Sequence, residues 1–312
     1  MRAALAVDLG GTELRVALVG EDGRMLARDA EPTLARSGPD AVIGQIVRLL
    51  HGLEPAAQGS TILGVGVGAP GPLDPARGVV LDAPTLAGWT DVPLVALLAA
   101  GLGRPVRLEN DANAAALGEW MFGAGRGTRH MVFVTVSTGI GGGVIVDGRL
   151  LHGRCGMAAE IGHMAISEGD VPCHCGSVGC WEALASGSAL ARFATAAARR
   201  GVPTSLPHDG SISAREVVGA AAAGDALAGD LLAQEARWLG MGFANLLHLY
   251  SPERIIVGGG LSAGLDAMRP GIGQEINRRA MKVYRDVPVL RAALGADSGL
   301  AGAAAIILDQ FA

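Results

Sequence analysis

The chain has 312 residues, half of them hydrophobic, with 25 basic and 30 acidic side chains for a formal net charge of -5. That length exceeds the usual single-domain size, so two domains of related architecture are expected, each able to bury a core. The composition excludes unfolded and fibrous classes, no run of ~18 uninterrupted apolar residues offers a membrane span, and the acidic balance without a basic run leaves nucleic acid no footprint.

The opening MRAALAVDLGGT is too short in its apolar stretch for a secretory leader, so a cytoplasmic location is expected. Residues 3–9 read as a buried strand, followed by the glycine turn GGT, the strand ELRVALVG, the Asp22-Gly23 hairpin signal and RMLARDA, a three-stranded meander. DAVIGQIVRLLHGL has the pattern of a helix, TILGVGVGAPG of a strand, the stretch through Pro84 of a loop, and PLVALLAAGLG of a second helix. In RPVRLENDANAAALGEWMFG a strand ends at Glu109 and a helix begins. HMVFVTVS, TGIGGG, GVIVDG and RLLHG then form a second meander, in which Asp147-Gly148-Arg149-Leu150-Leu151 echoes Asp22-Gly23-Arg24-Met25-Leu26. The echo supports two related lobes. Beyond a cysteine-rich segment come three alanine- and leucine-rich helices, the strand RIIVGGGLS, and a closing helix at 299–311, an α/β order throughout.

Two glycine turns carry the first chemical signal. VDLGGT places Asp8 near a strand end with Gly10, Gly11 and Thr12, whose backbone N–H groups can face a phosphate without side-chain obstruction. STGIGGG, from Ser137, is the matching turn, and the pair could clasp a polyphosphate. Each alone reads equally well as a tight hairpin. A P-loop is excluded, because the lysine it needs has no candidate but Lys282, far from any glycine turn. Gly66-Val-Gly68-Ala-Pro-Gly71 matches GxGxxG, but Pro70 and Pro72 forbid the helix that should open there. IIVGGGLS could present flat backbone to a base or ribose.

Glu109, Asn110 and Asp111 stand in succession at a strand-to-helix switch. One of them suffices as a cap. A carboxylate fixed there can accept the proton of a hydroxyl as its oxygen attacks a phosphoryl group, which makes Asp111 the candidate base. His163, Cys173, Cys175 and Cys180 supply one imidazole and three thiols, the ligand set of a closed, structural zinc site, with free buried cysteines as the alternative. A redox pair is disfavoured because C-x-x-C is absent. Cys155 stands apart and is expected to be a packed thiol. Glu160 and Glu182 bracket the cluster, which suggests an ion holding a loop whose carboxylates face a polar ligand such as a sugar.

Together DLGGT, NDANAAALGE, FGAGRG, STGIGGGVIVDGRLLHG, EIGH, CHCGSVGCWE and IIVGGGLS resemble the ROK family of bacterial sugar kinases and repressors, most closely its glucokinases. The resemblance implies a two-lobed α/β, actin-like ATPase (ribonuclease H-like) fold with a central cleft. Residues 1–112 plus about 299–312 would form the small lobe and 113–298 the large one. It implies ATP with Mg²⁺ on one side of the cleft and a hexose on the other, a structural Zn²⁺, and a homodimer or homotetramer without nucleic-acid or membrane partners. By position, Asp111 would activate the sugar's 6-hydroxyl, while Gly71, Asn110, Glu160, His163 and Glu182 would hold the sugar. Asp8, Gly10, Gly11, Thr12, Thr138 and Gly139 would cradle phosphates and Mg²⁺, with Gly259 and Gly260 by the adenosine. His163 would then put one ring nitrogen on zinc and the other toward the sugar.

Three residues depart from the family pattern: Glu13 replaces a lysine, Ser137 the first glycine of GTG, and Ala159 the glycine before EIGH, which adds only a methyl. Glucose to glucose 6-phosphate is the expected reaction. A kinase for N-acetylmannosamine or N-acetylglucosamine is the runner-up. A sugar-sensing regulator is disfavoured, because the first strand begins by Ala3 and leaves no room for a helix-turn-helix.

Overall fold

The computed structural model describes residues 1–208 and 210–309. In chain order the elements are β1 (Arg2–Leu9), β2 (Glu13–Gly20), β3 (Met25–Pro32), α1 (Pro39–Leu53), β4 (Thr61–Ala69), β5 (Leu73–Asp74), β6 (Val79–Asp82), β7 (Thr90–Val92), α2 (Leu94–Leu102), β8 (Val106–Asn110) and α3 (Asp111–Phe122). There follow β9 (Met131–Val136), β10 (Ile140–Val146), β11 (Arg149–Leu150), α4 (Trp181–Ala185), α5 (Gly187–Arg199), α6 (Ala214–Ala222), α7 (Ala226–Tyr250), β12 (Arg254–Gly258), α8 (Leu265–Arg279), β13 (Val289–Arg291) and α9 (Ser298–Leu308). Among the described residues no helix is long and apolar enough to cross a membrane.

The chain divides into two compact units, one of Met1–Arg129, Gly143–Ala159 and Ala292–Ala312, the other of His130–Gly142 and Glu160–Arg291. In the first, the sheet runs β3-β2-β1-β4-β8. β1 to β3 are the antiparallel meander, and β4 and β8 lie parallel to β1 and β4. Successive side chains of a strand point to opposite faces. In β1 the larger residues Leu5, Val7 and Leu9 enter one core with Val42, Ile46 and Leu50 of α1 and Leu94 and Leu98 of α2. Ala4 and Ala6 enter the other, under Leu300, Ala303 and Ile307 of α9. That alanine face lets α9 sit close: a Cβ on Gly66 would fall 1.7 Å from the Ala303 carbonyl oxygen. The GxGxxG match therefore records helix-on-strand packing, and no helix follows it.

The second unit repeats the succession with β10 beside β9, then β12 and β13, the last three parallel. The chain passes between the units inside β10, whose end pairs with β11 through Ile145–Leu150 and Val146–Arg149. Its core includes Trp181 stacked edge-on to Phe243, ring centroids 5.6 Å apart, with the indole N–H donating to the Trp238 carbonyl.

Three features differ from the sequence expectation. The proline-rich stretch through Pro84 is not plain loop but holds the small sheet β5-β6-β7. α8 and β13 were not foreseen, because Pro270, inside α8, reads as a helix breaker. Cys155 is exposed rather than packed, in a turn at φ 57°.

Candidate active site

In the first unit, β8 delivers three polar residues to the N-terminus of α3. Asn110 is the N-cap: its side-chain oxygen accepts from the N–H groups of Ala112 and Asn113, satisfying two of the helix's open donors. Asp111 is exposed at the first helical position and accepts from Ala112 N at 2.7 Å. Gly71 lies against this turn, since a Cβ there would stand 3.6 Å from Asn110 Nδ2. Glu109 points inward and is buried. Its Oε1 accepts from Asn110 N and Asn113 Nδ2, and its Oε2 is 2.7 Å from His152 Nε2.

Asp8, one residue from the end of β1, bonds the Arg15 guanidinium, which stands opposite it on β2 and also donates to the Ala296 carbonyl at 2.7 Å. Burial pushes the Asp8 carboxyl above its usual range, and Arg15 opposes the shift. A Cβ on Gly299 would reach 2.5 Å from Asp8 Oδ2, so the carboxylate lies against the first turn of α9. Gly10 N–H closes the hairpin on the Glu13 carbonyl at 3.0 Å.

In the second unit the turn Ser137–Gly139 is held from both sides. Ser137 O accepts from Gly187 N at 2.7 Å, and Ile140 N donates to Glu182 Oε2 at 2.8 Å. A Cβ on Gly259, at φ 81°, would lie 2.4 Å from the Val136 carbonyl oxygen, so this turn abuts the end of β9. Ser137, Thr138 and Gly260 line a cavity of about 400 Å³ whose other walls include Leu261, Val218 and Arg215. Thr138 and Gly260 thus line one pocket that has an apolar wall.

The cysteine loop belongs to the same unit. His163, Cys173, Cys175 and Cys180 bring their ligand atoms within 4.8 Å of one another. His163 Nδ1 is 3.6 Å from Cys173 Sγ, and Cys175 Sγ is 3.7 Å from Cys180 Sγ. A zinc tetrahedron with bonds of ~2.3 Å to sulfur and ~2.0 Å to nitrogen has S···S edges of about 3.8 Å and N···S edges of about 3.5 Å. These two edges match that tetrahedron, and the donor set of one imidazole and three thiols suits zinc. Nδ1 faces the thiols, which leaves Nε2 of the same ring to another partner. Glu160 is exposed and its carbonyl accepts from His163 N at 3.1 Å. Glu182 Oε1 is 3.1 Å from His174 Nδ1, so both its oxygens already have partners in this state.

Residues 4–310 match the ROK family. The chain belongs to the ROK family. A glucokinase of Streptomyces coelicolor is 38% identical over 313 aligned residues, covering 97% of each chain. A ROK hexokinase from Thermus thermophilus superposes with a TM-score of 0.87 at 36% identity, covering 99% of each chain. A ROK family glucokinase from Streptomyces griseus, solved in complex with glucose and AMPPNP, gives a TM-score of 0.83 at 36% identity over 98% of this chain and 99% of that one. The two α/β units are those of the actin-like ATPase fold, and the chain is a ROK phosphotransferase, an ATP-dependent sugar kinase.

Sequence reasoning missed Arg15, His152 and His174. Arg15 shares its face of β2 with the buried Ala17 and Val19, and only the register Asp8–Arg15 identifies its partner. His152 and Glu109 are 43 residues apart, and no local pattern links them. His174 lies between two of the cluster's cysteines, and its approach to Glu182, eight residues on, is set by the folded loop. Ala159 is at φ 65°, so the extra methyl relative to glycine sits in the left-handed region, at a cost of about 1 kcal/mol.

Proposed function

We propose that this ROK kinase transfers the γ-phosphoryl group of ATP to the 6-hydroxyl of a hexose, glucose in the first place. The observation that carries the reading is Asp111 at the exposed first turn of α3, with Asn110 locked as its cap and Gly71 against it. Asp111 takes the proton of the 6-hydroxyl as that oxygen attacks phosphorus, and the bond to the β-phosphate oxygen breaks. Asn110 and, in the second unit, Glu160, His163 and Glu182 hold the remaining hydroxyls. Because Gly10 N–H is engaged in its own hairpin, Gly11 and Thr12 serve the phosphates in that turn, and Thr138 and Gly139 in the other. The cavity walled by Leu261 and Val218 takes the adenosine, beside Gly259 and Gly260.

Mg²⁺ near Asp8 would neutralise charge on the phosphates. Zinc would be held by His163, Cys173, Cys175 and Cys180. With four protein ligands it has no open position, so its part is to fix the loop that carries the sugar residues. A homodimer or homotetramer belongs to this reading on the family resemblance.

Asp111→Ala should keep sugar binding and lower turnover by about 10²–10⁴-fold, the range for loss of a general base. Normal turnover would refute the assignment. The substrate is tested by ADP release with glucose, mannose, fructose, N-acetylglucosamine and N-acetylmannosamine; an N-acetyl sugar ranking above glucose would reassign it.

A further inference from the structure

We infer that His152 is a positioning residue for the transfer: through Glu109 it holds the strand end that presents Asn110 and Asp111 in working geometry. The inference rests on the sugar kinase reading above. Glu109 is only 4% exposed, and a buried carboxylate is tolerated where each oxygen is paired. Oε1 is bound by Asn110 N at 2.9 Å and Asn113 Nδ2 at 3.0 Å, so Glu109 grips the chain on both sides of Asp111. Oε2 is bound by His152 at 2.7 Å. His152 in turn anchors its own loop, since its carbonyl accepts from Ala158 N at 3.0 Å, two residues before Glu160. The side chain thus braces the strand end that carries the base, while the backbone carbonyl of the same residue ties down the segment that leads to Glu160.

The clamp is titratable. The hydrogen bond to Glu109 holds the half-exposed His152 ring above the usual histidine range against the cost of its burial. Around it, the same cavity is lined by Asp74, Arg107, Arg149, Cys155 and Asp309. The two arginines oppose protonation of the ring and the two aspartates favour it, while Glu109 is in direct contact. Below the raised pKa the bond is charge-assisted; above it the bond is between a carboxylate and a neutral donor, roughly half as strong. As pH rises through that value the brace on Glu109 weakens, and the strand end that presents Asn110 and Asp111 is held less firmly. kcat/KM for the sugar should then fall, while KM for ATP stays level.

Steady-state kinetics of wild type, His152→Gln, His152→Ala and Glu109→Gln, from about pH 6 to 9, test this. Wild type should show the alkaline fall. His152→Gln, which keeps a neutral donor, should lose the pH dependence while retaining a rate near the wild-type alkaline value. His152→Ala should lower kcat/KM for glucose about tenfold or more with KM for ATP within about twofold. Glu109→Gln should lower the ring pKa of His152 read by NMR. An unchanged alkaline limb in His152→Gln, or unaltered kinetics in His152→Ala, overturns the proposal alone. A wild-type chain that phosphorylates no sugar overturns the kinase reading and this inference with it.

Discussion

Gly139, in the turn proposed to hold phosphates, packs against Glu182 of α4, and Gly139→Ala probes that contact directly. A Cβ there would stand 2.2 Å from Glu182 Oε2, whereas ordinary contact begins at 3.4 Å. The carboxylate must therefore retreat by about 1.2 Å, which breaks its 2.8 Å bond from Ile140 N and moves a group assigned to the sugar. A misplacement of about 1 Å at a positioned group costs on the order of 10²-fold in rate, so kcat/KM for glucose should fall by about that factor. Gly139 lies outside the left-handed region, so no such strain opposes alanine and the fold should survive. Coupled ADP release, varying glucose and ATP separately, reads the result. A kcat/KM for glucose within about threefold of wild type, or a change confined to KM for ATP, would refute the steric link to Glu182.

Glu119 is fully buried, and its carboxylate accepts from Ala124 N, Ala293 N, Leu294 N and Ser298 Oγ at 2.8–3.0 Å. Glu119→Ala takes the acceptor from three backbone N–H groups, Ser298 Oγ keeping the Gly295 carbonyl at 2.9 Å, and should cost about 3–5 kcal/mol in urea unfolding; a loss below about 1 kcal/mol would contradict the account. Glu235 is buried without a hydrogen-bond partner, and burial pushes its carboxyl well above the usual 4.5. The folded state therefore favours the protonated form, and the stability cost grows by about 1.4 kcal/mol per pH unit from the unfolded pKa up to the folded one. Glu235→Gln should match wild type near pH 4.5 and exceed it at neutral pH, and parallel pH responses would contradict this. Burial pushes the Cys180 thiol up to about 12, so zinc would have to displace its proton and should be released more readily as pH falls. Chelation should weaken glucose binding by calorimetry, and a metal-free protein of unchanged affinity would sever the link between zinc and the sugar residues.

Much of the architecture follows from local pattern. The meander of β1 to β3, the strand-to-helix switch at Asn110 and the spacing of Cys173, Cys175 and Cys180 are each carried by residues close in sequence. What escaped was set by distant partners. Arg15 reads as an ordinary strand residue until the hairpin register faces it to Asp8, and His152 until its loop meets β8. α8 was hidden because Pro270, with Gly271 and Gly273, breaks the local helix signal, while burial of Leu265, Met268, Ile272 and Ile276 sustains the helix. Ala159 shows the limit at the level of one atom: its methyl is small, and its strain is visible only in φ.

The central claim is that this chain makes a hexose 6-phosphate from ATP with Asp111 as base. Phosphorus NMR of the purified protein with ATP and glucose tests it most directly. The account predicts one new phosphate ester, on the 6-oxygen, formed together with ADP and abolished in Asp111→Ala. ATP left unconsumed in the presence of glucose, or an ester formed at wild-type rate by Asp111→Ala, would contradict it.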